Sequence, residues 1–318
     1  MNNRGGSQRF QNPAKQQRPN QQRPKQRPKQ PQSNRRLHDN LAYPKVVRDL
    51  VGNIFNAQAS HPQVNFSFLY DKMFGVLERQ RPKEQRLQDK GKEPSLKSQY
   101  LSTFTSIFDR MKTDNDVQEG FKCFHSRRTE MLNSLQEQGY EVRSVTYSSL
   151  EPFVTGLGMG HVTETGIRLD RQLGTPYYPA SSLKGAIRAT AKLFEAEPTL
   201  VDELFGSTES GQGSILFFDA YPVTWPELKV DIMTPHYGPY YSGEQKAYPS
   251  DDHDPTPIPF LVVEKKTSFE FLFAIRKGPR STERLAQLEN WLELSAEVMG
   301  LGAKTAVGYG RFVRTGNR

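Results

Sequence analysis

Two short stretches of this chain hold residue types that could grip a phosphate. In the first, residues 179–188, Pro179 is followed by two serines, and Lys184 and Arg188 stand four residues apart. Proline ends the preceding segment, Ser181 is a good N-cap residue, and the spacing puts both cations on one helix face. The free N–H groups of a first helical turn and the helix dipole both favour a bound phosphate. We therefore expect contacts to a nucleic-acid backbone from Ser181, Ser182, Lys184 and Arg188.

Gly185 lies inside this predicted helix, where a glycine costs about 1 kcal/mol relative to alanine. That cost suggests the close approach of another backbone. The alternative is that Gly185 only packs tightly on a sheet and that Lys184 points to solvent.

The second stretch, residues 299–312, places glycines at positions 300, 302, 308 and 310 around a lysine and a threonine. Glycine has no Cβ, so another backbone can come close to it. This stretch opens a predicted strand and not a helix, so a dinucleotide or P-loop site is not indicated. We expect an RNA backbone to cross it, contacted by Gly302, Lys304, Thr305, Gly308 and Arg311. The alternative is that these glycines only relieve packing against the first helix.

A third glycine cluster, residues 152–161, follows the first predicted strand, and we assign His161 and Arg168 beside it to RNA contact as well. Sheets that bind single-stranded RNA stack bases on aromatic or apolar side chains. The candidates for such stacking are Phe153, Met159, Tyr177 and Tyr178. The alternative for each of them is burial in the core.

Histidines raise the question of catalysis. Metal-independent RNA cleavage needs a general acid and base, and His161 with Asp170, or His236 with Tyr237, could be drawn in those roles. No two of the six histidines have the spacing of a zinc site, and Cys123 does not join them. An acidic run around His253 is more typical of a solvated loop than of a divalent-ion site. We therefore expect no metal and no cofactor.

Charge is distributed unevenly along the chain. The net charge is +8, but residues 1–36 hold ten Lys and Arg and no Asp or Glu, which leaves 33 basic and 35 acidic residues in the remainder. The remainder is therefore close to neutral, and RNA contacts there must come from local patches. The tail repeats Gln-Arg-Pro and is predicted to be disordered, either as a cationic arm that tethers RNA or as a solubilising leader.

The location of the protein follows from what the sequence lacks. A single cysteine forms no intrachain disulfide, which fits a reducing compartment. No apolar run reaches the roughly 18–20 residues of a membrane helix, and the N-terminus has no apolar signal region. We expect a cytoplasmic protein without a membrane partner.

Periodicity divides the chain after the tail into a helical part, 37–140, and a mixed domain, 141–318. Apolar spacing predicts helices around 46–55 and 100–111, separated by a polar segment at 78–97. The mixed domain reads β-α-β-β-α-β, with elements at 142–149, 181–197, 213–221, 268–276, 281–299 and 305–314. This order is that of a ferredoxin-like, RRM-type α+β sheet. The long insertions at 150–180 and 222–267 are expected to be functional, the second with short strands at 229–233 and 260–266.

These motifs together also carry a family resemblance. Residues 179–188, Leu204-Phe205-Gly206, residues 213–220 and the final glycine-rich stretch resemble the RAMP superfamily of CRISPR proteins. Within it, residues 231–237, 240–241 and 257–261 resemble a Cmr subunit of type III-B effector complexes. The resemblance covers roughly residues 140–314. Ala180 stands where the family often has glycine, and the tail has no counterpart in the family.

The resemblance implies a function. It implies a non-catalytic subunit of an RNA-guided antiviral complex that binds guide RNA near its 3′ end and caps the filament of sister RAMP subunits. Its partners would be guide (CRISPR) RNA, target RNA and other RAMP subunits. It also places Lys184, Arg188, Lys304 and Arg311 along the guide-RNA path. The alternatives are a metal-independent endoribonuclease that processes guide precursors and a scaffold that touches only protein.

Overall fold

The computed structural model describes residues 65–72, 96–161, 163–209, 211–237, 240, 248 and 255–315. The predicted tail, the helix expected around 46–55 and most of the polar segment 78–97 lie outside these residues. So do two histidines and the acidic run with its own histidine, which are His38, His61, Asp251, Asp252, His253 and Asp254.

The described chain begins with three helices and continues as a mixture of helices and strands. The helices are α1 Phe66–Lys72, α2 Leu96–Met111, α3 Asn115–Glu137, α4 Ala180–Leu193, α5 Pro198–Phe205 and α6 Ser281–Leu294. The strands are β1 Tyr140–Ser149, β2 Gly206–Ser207, β3 Gly211–Gln212, β4 Ile215–Phe217, β5 Tyr221–Pro222, β6 Leu228–Met233, β7 Ile258–Val263, β8 Ser268–Arg276 and β9 Phe312–Arg314. A π-helical turn, Ser295–Met299, continues α6, and a 3-10 turn, Thr305–Val307, precedes β9.

The main sheet is antiparallel, in the order β4-β8-β1-β9, and β5 also pairs with β8. Along the chain its strands and the two long helices of the domain follow one another as β1, α4, β4, β8, α6 and β9. β6 and β7 form a separate two-stranded antiparallel sheet.

The core lies where α4 and α6 cover one face of the main sheet. Alternate residues of β8 are buried there, together with apolar residues of both helices; the β8 residues are Phe269, Phe271, Phe273 and Ile275. Leu272 and Ala274, on the opposite face of β8, are buried too. On that face α3 brings Arg128 to 3.8 Å from Glu270, so both faces of this strand are covered.

Aromatic packing ties the helical start to the same core. The ring of Phe66 contacts Phe108 at 4.8 Å between centroids, and Phe108 stacks on Trp225 at 4.9 Å. The Trp225 indole N–H donates to the Phe108 carbonyl at 3.2 Å. The first two helices therefore share one continuous apolar core with the sheet.

The single strand predicted at 213–221 is wrong, because the chain forms two short strands there. Between these two strands the chain stops pairing with β8. There Ala220 exchanges two backbone hydrogen bonds of 2.8 Å with Tyr178. That crossing sets Asp219 beside the start of α4. Three other predicted boundaries also shift: the helix 281–299 ends its α-helical part at Leu294, the helix 181–197 ends at Leu193, and the last strand begins only at Phe312.

Within the part of the chain that the structure describes, no helix has both the length and the apolar character needed to cross a membrane.

Replacing Phe271 with alanine tests the position of the core. This ring is fully buried at the centre of β8, so Phe271→Ala should lower the free energy of unfolding by about 3–5 kcal/mol. Phe194→Ala is the matched control, because that ring is 47% exposed at the end of α4. Urea denaturation measures both, and equal losses would contradict the core described here.

Candidate nucleic-acid interface

The start of α4 differs from the prediction in how it is capped. The helix begins at Ala180 with Pro179 as N-cap, and Ser181 lies inside the first turn, so the N-cap assigned to Ser181 is wrong. The Asp219 carboxylate instead accepts a hydrogen bond of 2.6 Å from the Ala180 N–H. The Ala180 N–H group, in the first turn that we expected to bind a phosphate, therefore already donates to the Asp219 carboxylate.

The outer surface of α4 is open. Ser181, Ser182 and Gly185 are exposed. A Cβ built on Gly185 would meet no atom within 4 Å, so this glycine does not serve tight packing on the sheet. The helix thus leaves an uncrowded surface beside its first turn.

The two cations of α4 that were assigned to phosphate contact are held differently. Lys184 is half-buried one turn into the helix. Arg188 lies 3.6 Å from Asp202 of α5, with 34% of its side chain exposed. An exposed ion pair of this kind is worth at most about 1 kcal/mol. Lys184 is therefore the better placed of the two to meet a phosphate.

The final glycine-rich stretch, residues 300–311, is a looped segment that we call the closing loop. The strand predicted from residue 305 is wrong over residues 305–311, because Thr305–Val307 form a 3-10 turn and Gly308 and Gly310 have positive φ. A Cβ on Gly302 would lie 2.5 Å from the Val154 carbonyl oxygen, so this glycine serves packing within the chain. Gly308 has φ +100° and open space around it. Of these two glycines, only Gly308 leaves room for an external backbone.

Hydrogen bonds fix the closing loop to the segment that follows β1. The Ala303 N–H donates to the Val154 carbonyl at 2.8 Å, and the Gly310 N–H donates to the Pro152 carbonyl at 2.9 Å. Tyr178, just before α4, packs on Phe153, whose ring lies next to Gly302, and burial raises the pKa of Tyr178 to about 12. The three sequence stretches thus meet at one end of the main sheet.

Two of the four proposed base-stacking side chains lie in the core. Phe153 and Tyr178 are buried against each other, with ring centroids 5.6 Å apart. Tyr177 is half-buried and stacks on Tyr221 at 5.6 Å. Met159 is 43% exposed. The aromatic residues of this segment therefore pack below the surface of the candidate site and do not present free rings for base stacking.

Lys304 is the cation that the closing loop orients most firmly. Its Nζ lies 5.5 Å from the Phe260 ring centroid and 5.7 Å from that of Tyr309. The Tyr309 hydroxyl donates to Asp231 at 2.5 Å. Burial, together with this hydrogen bond to the carboxylate, raises the pKa of Tyr309 to about 12. The small β6–β7 sheet thus positions Lys304 through Phe260 and through the Tyr309–Asp231 hydrogen bond.

The remaining predicted loop contacts are less constrained. Thr305 is half-buried, and its side chain lies close to Gly300. Arg311 donates to the Glu297 carbonyl at 3.4 Å. Both lie on the same loop as Lys304.

His161 has a structural role. Its ring stacks on Tyr70 at 4.2 Å, its Nδ1 lies 2.8 Å from the Thr163 hydroxyl, and its Nε2 lies 2.9 Å from the Tyr70 carbonyl. Burial lowers the pKa of His161, outweighing the opposing effects of the Tyr70 carbonyl and Asp71, so the ring is neutral at pH 7. Both nitrogens are used within the chain, and the structure does not bring His161 into the group around Lys304.

Of the other members of the proposed acid–base pairs, Asp170 is also engaged elsewhere. Asp170 accepts hydrogen bonds of 2.8 Å from the N–H groups of Gln172 and Leu173, and one of 2.9 Å from the Tyr221 hydroxyl. The rings of His236 and Tyr237 are 6.5 Å apart and tilted.

Arg168, assigned to RNA contact beside His161, is half-buried next to the third glycine cluster. Its backbone N–H donates to the Thr155 carbonyl at 2.8 Å, one residue beyond the segment that holds the closing loop.

Asp219 is the site residue that sequence reasoning missed. Its partner Ala180 lies 39 positions earlier in the chain. No local spacing rule connects residues so far apart.

Among the described residues, no group of three or more His, Cys, Asp or Glu side chains could hold a metal ion.

Comparison with known proteins identifies the family. The model of the RAMP superfamily matches residues 146–313. The chain belongs to the RAMP superfamily. It is 30% identical over 338 residues to the CRISPR system Cmr subunit Cmr6 of Pyrococcus furiosus, covering 86% of this chain and 91% of that protein. It is also 30% identical over 234 residues to the Cmr6 of Saccharolobus solfataricus, covering 71% and 76%.

A solved structure shares the fold. A chain of the cryo-EM structure of the type III-B Cmr-beta complex bound to cognate target RNA superposes with a TM-score of 0.58 at 22% identity. The match covers 85% of this chain and 87% of that one.

The crowded Gly302 and the uncrowded Gly308 should differ in how much stability each loses when it is replaced by alanine. Gly302→Ala combines positive φ with a clash against the Val154 carbonyl, so it should cost about 2–5 kcal/mol of stability. Gly308→Ala meets no clash. It should lower the stability by about 1–2 kcal/mol, because alanine disfavours the left-handed backbone conformation. Chemical denaturation of both variants decides, and equal losses would show that the loop does not pack as described.

Burial of His161 predicts a pH dependence of stability. Because its folded-state pKa is below the unfolded value, the unfolded state binds the proton first. Stability should therefore fall as the pH drops below about 6.5, by up to about 1.4 kcal/mol per pH unit down to the folded-state pKa. The pKa of His125 is also lowered by burial, so His161→Gln should remove only part of this dependence. Unfolding free energies at pH 7.5 and 5.0 measure it, and a variant with an unchanged pH slope would argue against this role.

Proposed function

We propose that this chain is a non-catalytic, RNA-binding subunit of a type III-B Cmr effector complex in the cytoplasm. In this proposal it contacts guide RNA near its 3′ end, lies next to target RNA, and caps a filament of other RAMP subunits in antiviral defence. The two curated relatives named Cmr6 support the type of complex. The element order β1, α4, β4, β8, α6, β9 and the strand order of the main sheet support a ferredoxin-like core.

The observation that carries the proposal is the meeting of the start of α4, the segment after β1 and the closing loop. It sets Lys184 and Lys304 on elements joined through Tyr178, which packs on the Phe153 ring beneath Gly302. Next to them the surfaces at Gly185 and Gly308 are uncrowded. Cations beside open backbone suit a phosphodiester chain, which is contacted without reading its sequence.

The mode of phosphate contact differs from the one that the sequence suggested. Asp219 already binds the Ala180 N–H, and its carboxylate repels a second anion at that point. Contact therefore falls mainly on the lysine side chains. In RNA-guided complexes base pairing supplies the sequence discrimination, so such contacts need only hold the backbone.

The proposal includes the absence of catalysis. The endoribonuclease alternative needs a histidine free to move a proton, and both nitrogens of His161 are within hydrogen-bond distance of groups in the chain. No observation favours that alternative over binding.

Removing the two lysines tests the proposal. Lys184→Ala with Lys304→Ala should weaken the binding of a guide-length single-stranded RNA and lower the log–log salt slope by about 1.4, since each phosphate contact contributes about 0.7. Lys122→Ala with Arg127→Ala is the matched control, because both cations are exposed on α3 and should change little. Filter binding across a salt series measures the slopes.

Two outcomes would contradict the proposal. One is an equal loss of affinity in the test and control variants, which would mean that charge alone matters. The other is cleavage of the RNA at a fixed site on denaturing electrophoresis, lost in His161→Ala, which would support the enzyme.

A further inference from the structure

A second concave surface lies at the opposite end of the main sheet from the closing loop. It is a pocket of about 530 Å³ whose walls include Tyr140, where β1 begins, and Arg276, where β8 ends. These two residues are register partners. β1 has ten residues, which at about 3.3 Å per residue place the pocket roughly 30 Å from the proposed RNA surface. We call it the far pocket.

The far pocket is rimmed by arginines. Arg276, Arg280 and Arg284 line it, and Glu203 is the single acidic residue among the lining side chains. Arg284 already holds Glu203 through two hydrogen bonds of 3.0 and 2.8 Å. Arg276 lies over the Tyr140 ring at 5.1 Å, and Arg280 is exposed. Two cations therefore remain uncompensated by the lining, and the exposed Lys277 lies between them in sequence.

Between the arginines the pocket surface includes apolar side chains. Leu216, Ile275 and Pro279 contribute to it. Leu216 belongs to β4, which is the edge strand of the main sheet. An edge strand offers backbone groups to an extended segment of another chain.

We propose that the far pocket binds an extended acidic segment of a neighbouring protein subunit, with a carboxylate on Arg280 and Arg276 and an apolar side chain against Leu216 and Pro279. Guanidinium groups pair with carboxylates through two parallel hydrogen bonds, and the Arg284–Glu203 pair in the same wall has that geometry. That the neighbour is a subunit of a Cmr complex rests on the proposed function.

Two other occupants fit less well. RNA phosphates would also meet the arginines, but RNA has no aliphatic side chain to cover Leu216 and Pro279 and no peptide backbone to pair with the edge strand β4. The N-terminal tail of this chain carries ten cations and no acid in residues 1–36, so the arginines repel it. The charge of the arginines excludes the tail, and the apolar surface beside an edge strand favours an acidic protein segment over RNA.

Charge reversal in the full chain is the first test. Arg276→Glu with Arg280→Glu should lower the affinity for the neighbouring subunit at least about tenfold in a complex reconstituted from the Cmr subunits of the same organism and a guide RNA. Arg280 is the residue before α6, and an acidic side chain there suits the helix dipole, so the fold should be kept. Lys122→Glu with Arg127→Glu, which makes the same total charge change at exposed sites on α3, should leave assembly unchanged. Binding of RNA by the isolated chain should change less than twofold in all variants.

Photo-crosslinking identifies the occupant. With p-benzoylphenylalanine in place of Arg280, the assembled complex should yield a crosslink to a peptide of another subunit that contains Asp or Glu, and changing that acid to Lys should restore assembly of the reversed variant. A crosslink to RNA, or normal assembly of the reversed variant with no crosslink, overturns this proposal and leaves the proposed function standing. A chain that joins neither RNA nor the other subunits overturns both.

Discussion

The close contact between the closing loop and the segment after β1 is the constraint on which the candidate site depends. Gly302 lies so near the Val154 carbonyl that no side chain fits between them. The Phe153 ring lies under this contact and also packs on Phe312 at 5.3 Å. Because β9 begins at Phe312, the same contact that shapes the loop also fixes where the last strand joins the sheet.

The orientation of the cations follows from that contact. Lys304 adopts a left-handed backbone conformation, with φ 61°, between glycines whose positions are set by packing. Its ammonium group then lies over two aromatic rings, an arrangement worth about 0.5–1 kcal/mol at a partly exposed site. Tyr178, just before α4, packs on the Phe153 ring beneath this loop, so Lys184 is positioned through the same group of buried residues. A nearly neutral protein body can in this way present a local positive surface.

The sequence predicted much of this arrangement, because the relevant signals are local. The spacing of Phe269, Phe271 and Phe273 predicted β8 with its bounds, and the apolar periodicity of α2 predicted its helix. The closing loop was misjudged as a strand over residues 305–311, because a glycine reveals conformational freedom but not the φ angle that the fold selects. The cap at α4 was misjudged because Ser181 is the favoured local candidate, whereas Asp219 arrives by a crossing 39 residues later. The role of His161 depends on Tyr70, 91 residues away, and no spacing rule connects the two.

The central claim is that RNA runs over the start of α4 and the closing loop, and ultraviolet crosslinking tests it most directly. A complex reconstituted with a guide RNA would be irradiated, digested and analysed by mass spectrometry for peptides joined to nucleotides. The account predicts crosslinked peptides from residues 179–188 and 300–311, joined to nucleotides near the 3′ end of the guide. Crosslinks confined to α3 or to the far pocket, with none in these two stretches, would contradict it.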